Sequence, residues 1–168
     1  MESEIVEVEK VKIRALVIDD SRILRGMVKE QLKKTELADF EFTEAGDGAE
    51  AIDIFDPDKV DIVFVDWNMP KMNGIEFARH VRSLGYANHV SVIMITSESA
   101  EGRSDAAFDA ARITCYITKP FTAAQIKEKV APVIEKVIQH RQAMTPAAPV
   151  AKPMAARPTG GFFSKLIS

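Results

Sequence analysis

Five short strand-like runs, at about 13–18, 39–45, 60–65, 90–95 and 113–117, most of them nearly continuous in apolar residues, alternate with stretches of helical periodicity. That alternation is what most restricts the fold. A strand that is apolar on both sides must be covered on both faces, and parallel strands joined by helical crossovers provide that cover. The intervening stretches, 21–34, 48–55, 74–83, 99–110 and 122–140, repeat apolar residues at three- and four-residue intervals, as in Ile75, Phe77, Ala78 and Val81. The expected fold is an α/β domain of five βα repeats, a doubly wound five-stranded parallel sheet. Ser21 is placed to cap the first helix and Thr122 the last, while Asp47-Gly48 and Asn73-Gly74 mark turns.

The strands end on chemistry. Ala15-Leu16-Val17-Ile18 runs into Asp19-Asp20-Ser21, and Val63-Phe64-Val65 into Asp66-Trp67-Asn68-Met69-Pro70. Val92-Ile93-Met94-Ile95 runs into Thr96-Ser97, and Thr114-Cys115-Tyr116-Ile117 into Thr118-Lys119-Pro120. In an open parallel sheet the carboxyl ends of all strands share one rim, where ligands bind. Asp19, Asp20, Asp66, Thr96 and Lys119 are therefore expected to meet. Each like-charged pair at 4 Å costs roughly 4 kcal/mol at an effective dielectric near 20, so three carboxylates require a cation. Hard oxygen ligands suit Mg²⁺, which takes one or two carboxylates and a phosphoryl oxygen and keeps several waters. Lys119 adds a second positive charge.

Composition excludes several alternatives. The 168 residues are 46% apolar and 28% charged, enough for one domain with a core and extensions. A net charge of −3 without a basic cluster argues against nucleic acid as a partner. Glu2, Glu4, Glu7 and Glu9 are the reverse of a signal peptide's basic start, and no apolar run approaches a membrane span, so a cytoplasmic location is expected and a membrane partner is disfavoured. The single cysteine, Cys115, reads as inert core, and His80, His89 and His140 show no ligand spacing. Gly46-Asp47-Gly48 lacks the rest of a phosphate-binding loop.

Taken together, Asp19-Asp20-Ser21, Asp66-Trp67-Asn68-Met69-Pro70, Asn73-Gly74, Thr96-Ser97-Glu98 and Tyr116-Ile117-Thr118-Lys119-Pro120-Phe121 resemble the receiver domain of two-component response regulators, particularly stand-alone chemotaxis regulators of the CheY type. The resemblance covers about residues 12–140, and Glu44-Ala45-x-Asp47-Gly48-x-Glu50-Ala51 is a further receiver-like segment. It implies that Asp66 accepts a phosphoryl group from a phosphohistidine on a CheA-like sensor histidine kinase. It also implies that Asp20, Asp66 and the Asn68 backbone carbonyl bind Mg²⁺ directly, Asp19 through a water, and that Lys119 pairs with a phosphoryl oxygen. Thr96 and Tyr116 are the implied switch, and a cis Lys119-Pro120 bond is usual in the family. Such a chain is a signalling protein that catalyses only its own phosphorylation and dephosphorylation. Its output is by binding, to a flagellar motor switch or similar target, with a phosphatase as a further candidate partner. Two rivals remain open at this stage: a phosphorelay intermediate or phosphate sink, and a constitutive adaptor acting through its tail.

Outside the domain, residues 1–11 form an N-terminal extension, 141–161 read as a Pro- and Ala-rich linker, and 162–168 as a short amphipathic segment. Pro146, Pro149, Pro153 and Pro158 oppose helix and core formation in the linker, and a disordered tail is expected there. Phe162, Phe163, Leu166 and Ile167 form an apolar stripe able to dock in a partner groove.

Overall fold

The computed structural model describes residues 9–97 and 105–145. Glu98, the acidic start through Val8, and the segments from Pro146 onward, including the Phe162–Ile167 stripe, lie outside the described residues. In chain order the elements are β1 (Lys12–Ile18), α1 (Arg22–Thr35), β2 (Asp39–Ala45), α2 (Gly48–Ile54), β3 (Ile62–Asp66), α3 (Gly74–Ser83), β4 (Ser91–Thr96), α4 (Asp105–Ala111), β5 (Cys115–Thr118) and α5 (Ala123–Met144). All five strands pair in parallel, in the order β2-β1-β3-β4-β5. The doubly wound expectation holds.

The apolar runs divide between two cores, one on each face. Ile13, Ala15 and Val17 of β1, with Ile62 and Phe64 of β3, pack against Val28 and Leu32 of α1 and Ile126, Val130 and Ile134 of α5. The alternate residues Leu16, Ile18, Val63 and Val65 pack against Ala51 of α2 and Ile75, Phe77, Ala78 and Val81 of α3. This period-two division explains why β3 is buried at every position while each face remains apolar. Edge strand β2 instead exposes Asp39, Glu41 and Thr43, charged and polar groups that discourage pairing with another sheet.

The helix starts follow local chemistry. Ser21 Oγ accepts from the Leu24 amide, and Asp47 and Asn73, read from sequence only as turn residues, cap α2 and α3. Asn73 and Thr122 each form a reciprocal capping box, with Glu76 and Gln125 respectively.

Several boundaries differ from the sequence expectation: β3 and β5 each begin two residues later than the runs at 60–65 and 113–117, the start of the helix expected at 99–110 lies outside the described residues, and the end of α5 moves furthest. Helix α5 continues to Met144, four residues into the stretch read as linker from 141. Arg141, Gln142, Ala143 and Met144 are good helix formers, and the first proline beyond them is Pro146. Arg141 also has tertiary partners, the Lys12 carbonyl and the Asp61 carboxylate. Asp61, buried at the amino end of β3, accepts further bonds from the Arg14 amide at 2.8 Å and from Arg14 Nη2 at 2.9 Å. This cluster fastens the end of α5 to the sheet edge opposite the strand carboxyl ends.

Candidate functional site

The rim assembles as the parallel topology requires. Asp19 follows β1, and its amide bonds the Ala45 carbonyl at the end of β2 at 3.2 Å. Asp66 is the last residue of β3, paired with Ile95, and the next amide, Trp67, donates to the Ile95 carbonyl at 2.8 Å. Lys119 follows β5, and its amide donates to the Thr96 carbonyl at 2.7 Å. Neighbouring strands thus fix the backbone on which each functional side chain stands.

One carboxylate oxygen each from Asp19, Asp20 and Asp66 lies within 4.8 Å of the others. Asp19 and Asp66 are buried and Asp20 is exposed. Lys119 Nζ reaches Asp66 Oδ1 at 3.0 Å and Asp19 Oδ2 at 3.5 Å. Burial pushes the Asp66 carboxyl above its ordinary range against the opposing hydrogen bond and charge of Lys119, with the Asp20 charge adding to the rise. Burial likewise raises Asp19, opposed by the Ser21 amide and Lys119 and reinforced by Asp66. Three carboxylates against one ammonium leave two formal negative charges at a partly desolvated rim. A hard divalent cation matches that charge and donor set, and Mg²⁺ fits these residues.

The remaining predicted residues occupy distinct positions. Thr96 is 1% exposed at the end of β4, next to the Lys119 loop. Asn68 is exposed, two residues beyond Asp66. Tyr116 lies away from the acids, on the edge strand, where it lines a 240 Å³ groove with Gln125, Glu128 and Lys129 of α5. Lys129 Nζ stands 5.6 Å from its ring centre. The Lys119-Pro120 peptide is cis.

Cys115 opens β5 rather than lying mid-strand; it is partly buried, and burial pushes its thiol up, which disfavours the thiolate. His89 and His140 stack with ring centres 5.0 Å apart, a contact their sequence separation of 51 residues hides.

Two supports were not evident from motif spacing. Gly74 begins α3 directly against β3: a Cβ there would lie 2.5 Å from the Asp66 carbonyl oxygen and 2.7 Å from Met94 Sδ. The asparagine-glycine pair signals a turn in sequence, whereas the requirement for glycine comes from this close approach. Arg25 Nη1 donates to the Asp19 carbonyl at 2.6 Å. Only its position six residues after Asp19, on the first turns of α1, pointed toward the rim.

Residues 15–131 match the family model for the response regulator receiver domain. The chain is 35% identical over 127 residues to the chemotaxis protein CheY of Pseudomonas aeruginosa, covering 74% of this chain and 98% of that protein. It is 36% identical over 123 residues to a CheY homolog of Campylobacter jejuni, covering 73% and 92%. Among solved structures, the chemotaxis response regulator CheY4 of Vibrio cholerae aligns with a TM-score of 0.63 at 29% identity, covering 73% of this chain and 99% of that one. The chain belongs to the receiver domain family of two-component response regulators, and its fold is CheY-like. Among the described residues, no helix is long and apolar enough to cross a membrane.

Proposed function

We propose that this protein is a phosphorylation-switched receiver of a chemotaxis or related two-component system, with Asp66 as phosphoacceptor. The observation that carries the reading is the convergence of Asp19, Asp20 and Asp66 within 4.8 Å with Lys119 Nζ 3.0 Å from Asp66. An Asp66 carboxylate oxygen attacks the phosphorus of a phosphohistidine on a sensor histidine kinase. A new O–P bond forms as the P–N bond breaks, and the departing imidazole nitrogen keeps the electron pair and takes a proton. Asp20, the Asp66 carboxylate and the Asn68 carbonyl would hold Mg²⁺ directly and Asp19 through a water; when bound, the ion neutralises phosphoryl charge.

The chain's own contribution is placement. The β3–β4 pairing holds the Asp66 backbone, Lys119 offers an ammonium to a phosphoryl oxygen, and burial of Asp66 reduces the solvation its carboxylate must shed. The Thr96 hydroxyl, at the adjacent strand end, is suited to accompany the new phosphoryl group. Tyr116, on the groove between β5 and α5, is suited to pass that change to a binding partner, so the signal is delivered by protein–protein contact. The chemotaxis names of the relatives favour a flagellar motor switch or a comparable protein target.

Trp67, the chain's only tryptophan, follows Asp66 directly and supplies a reporter. Titration with Mg²⁺ and then with a small phosphoryl donor is expected to give a saturable, metal-dependent fluorescence change that is absent in Asp66→Ala. A response unaffected by that substitution contradicts the reading.

A further inference from the structure

We propose that Arg25 is a positioning residue for the cation site: it sets the Asp19–Asp20 backbone in the geometry that receives Mg²⁺. The inference rests on the reading of Asp19, Asp20 and Asp66 as a metal site and deepens it.

The Asp19 carbonyl belongs to the peptide that joins Asp19 to Asp20. Its oxygen accepts from Arg25 Nη1 at 2.6 Å, while the other side of Asp19 is held by its amide on the Ala45 carbonyl at 3.2 Å. The Asp19 carboxylate in turn accepts the Ser21 amide at 2.8 Å. Rotation of the Asp19–Asp20 peptide is thus opposed by a charged donor, and the direction in which the Asp20 side chain leaves the backbone is set with it. Asp20 is the exposed member of the acidic trio.

The guanidinium is itself aimed. Arg25 Nε donates to Glu44 Oε1 at 3.1 Å, and the other Glu44 oxygen accepts Lys29 Nζ at 2.7 Å. Lys29, with burial opposing and Arg25 assisting, holds the Glu44 carboxyl below its ordinary range, so Glu44 stays ionised as the anchor. The Arg25 side chain is 15% exposed, so it is held at the α1–β2 junction rather than ranging through solvent. Arg25 therefore links α1, the end of β1 and the edge strand β2 at the one peptide that carries two of the three acids. Groups that hold metal ligands in place without touching the metal commonly change its affinity 10–100-fold when removed.

Charge and positioning predict opposite signs here. A guanidinium near the site repels a divalent cation, so if charge were its only effect, its loss would tighten Mg²⁺ binding. If Arg25 pre-orders the ligands, its loss leaves Mg²⁺ to order the peptide at its own expense, and binding weakens. The test is a Mg²⁺ titration of the full chain, followed by Trp67 fluorescence, for wild type, Arg25→Met and Glu44→Gln, with unfolding curves for each. Arg25→Met keeps the apolar stem, and Glu44→Gln removes the anchoring charge while every α1 side chain stays in place.

The expected result is roughly tenfold weaker Mg²⁺ binding for Arg25→Met and a smaller loss in the same direction for Glu44→Gln. Amide exchange at Asp20 and Ser21 without metal should quicken in Arg25→Met while that of β4 does not. Arg25→Lys should recover part of the affinity. Unchanged or tighter Mg²⁺ binding in both variants overturns the proposal while leaving the acceptor reading intact. A wild-type chain that binds no Mg²⁺ brings down both.

Discussion

Lys119 Nζ stands 3.0 Å from Asp66 Oδ1 and 3.5 Å from Asp19 Oδ2, so one ammonium serves carboxylates at the ends of two different strands. The acids come from β1 and β3 and the cation from the loop after β5, an arrangement that exists only once the sheet has formed. Lys119→Met should therefore separate two properties. Mg²⁺ binding is expected to tighten, since a competing cation is gone, while phosphoryl uptake from a small donor slows by about a hundredfold. Metal titration and the initial rate of uptake check the two halves.

Without a bound cation, the buried acids are a source of instability. The folded-state carboxyls of Asp19 and Asp66 are raised above their ordinary 3.8. For such an acid the folded state holds its proton more tightly, so its contribution to stability is full below 3.8 and is lost as the pH climbs through the raised value. Without Mg²⁺, Asp66→Asn should then be more stable than wild type at pH 7, by on the order of 1 kcal/mol. The gap should narrow as the pH approaches 4. Denaturant unfolding at both pH values measures it.

Asp61 titrates with the opposite sign. Burial alone would raise its carboxyl, but the Arg14 hydrogen bonds and the Arg141 charge outweigh that and hold it below 3.8. Its stabilising contribution is present above 3.8 and lost as the pH falls through the lowered value. Asp61→Ala strands Arg14 and Arg141 and should cost about 2–4 kcal/mol at pH 7, a penalty that shrinks in acid. Unfolding curves at neutral and acid pH check both the size and the trend.

Gly74→Ala should injure the acceptor site from outside it. The added carbon would lie 2.5 Å from the Asp66 carbonyl oxygen, which belongs to backbone held in the β3–β4 ladder. The strand and the start of α3 must separate, at a cost of about 1–3 kcal/mol. Phosphoryl uptake should fall with stability. Gly85→Ala, at a glycine with φ +67° and open space around it, should lose stability without losing uptake.

Most of the fold could be read from sequence because burial on both faces leaves a simple trace, four apolar runs with polar ends, joined by one alternating run, 39–45, at the sheet edge. The convergence of Asp19, Asp20, Asp66 and Lys119 could be read for the same reason, since parallel strands place every carboxyl end on one rim. What escaped was contact between side chains on different elements. Arg141 reaching Asp61 carried α5 past the expected boundary at 140, because composition reports the prolines beyond 145 but not an arginine with a buried partner. The reach of Arg25 to the Asp19 carbonyl, the stacking of His89 on His140 and the tight approach at Gly74 depend on how helices seat on the sheet, which residue spacing does not encode.

The central claim is that Asp66, among these acids and beside Lys119, accepts phosphorus. Its most direct test is mapping of the phosphoryl adduct by mass spectrometry after treating the full chain with Mg²⁺ and a small phosphoryl donor. One phosphoryl group on Asp66 that hydroxylamine and base remove, lost when Mg²⁺ is chelated beforehand and absent from Asp66→Asn, is the predicted result. An unmodified Asp66 under those conditions, or a phosphoryl group carried by another residue in the wild-type chain, would contradict it.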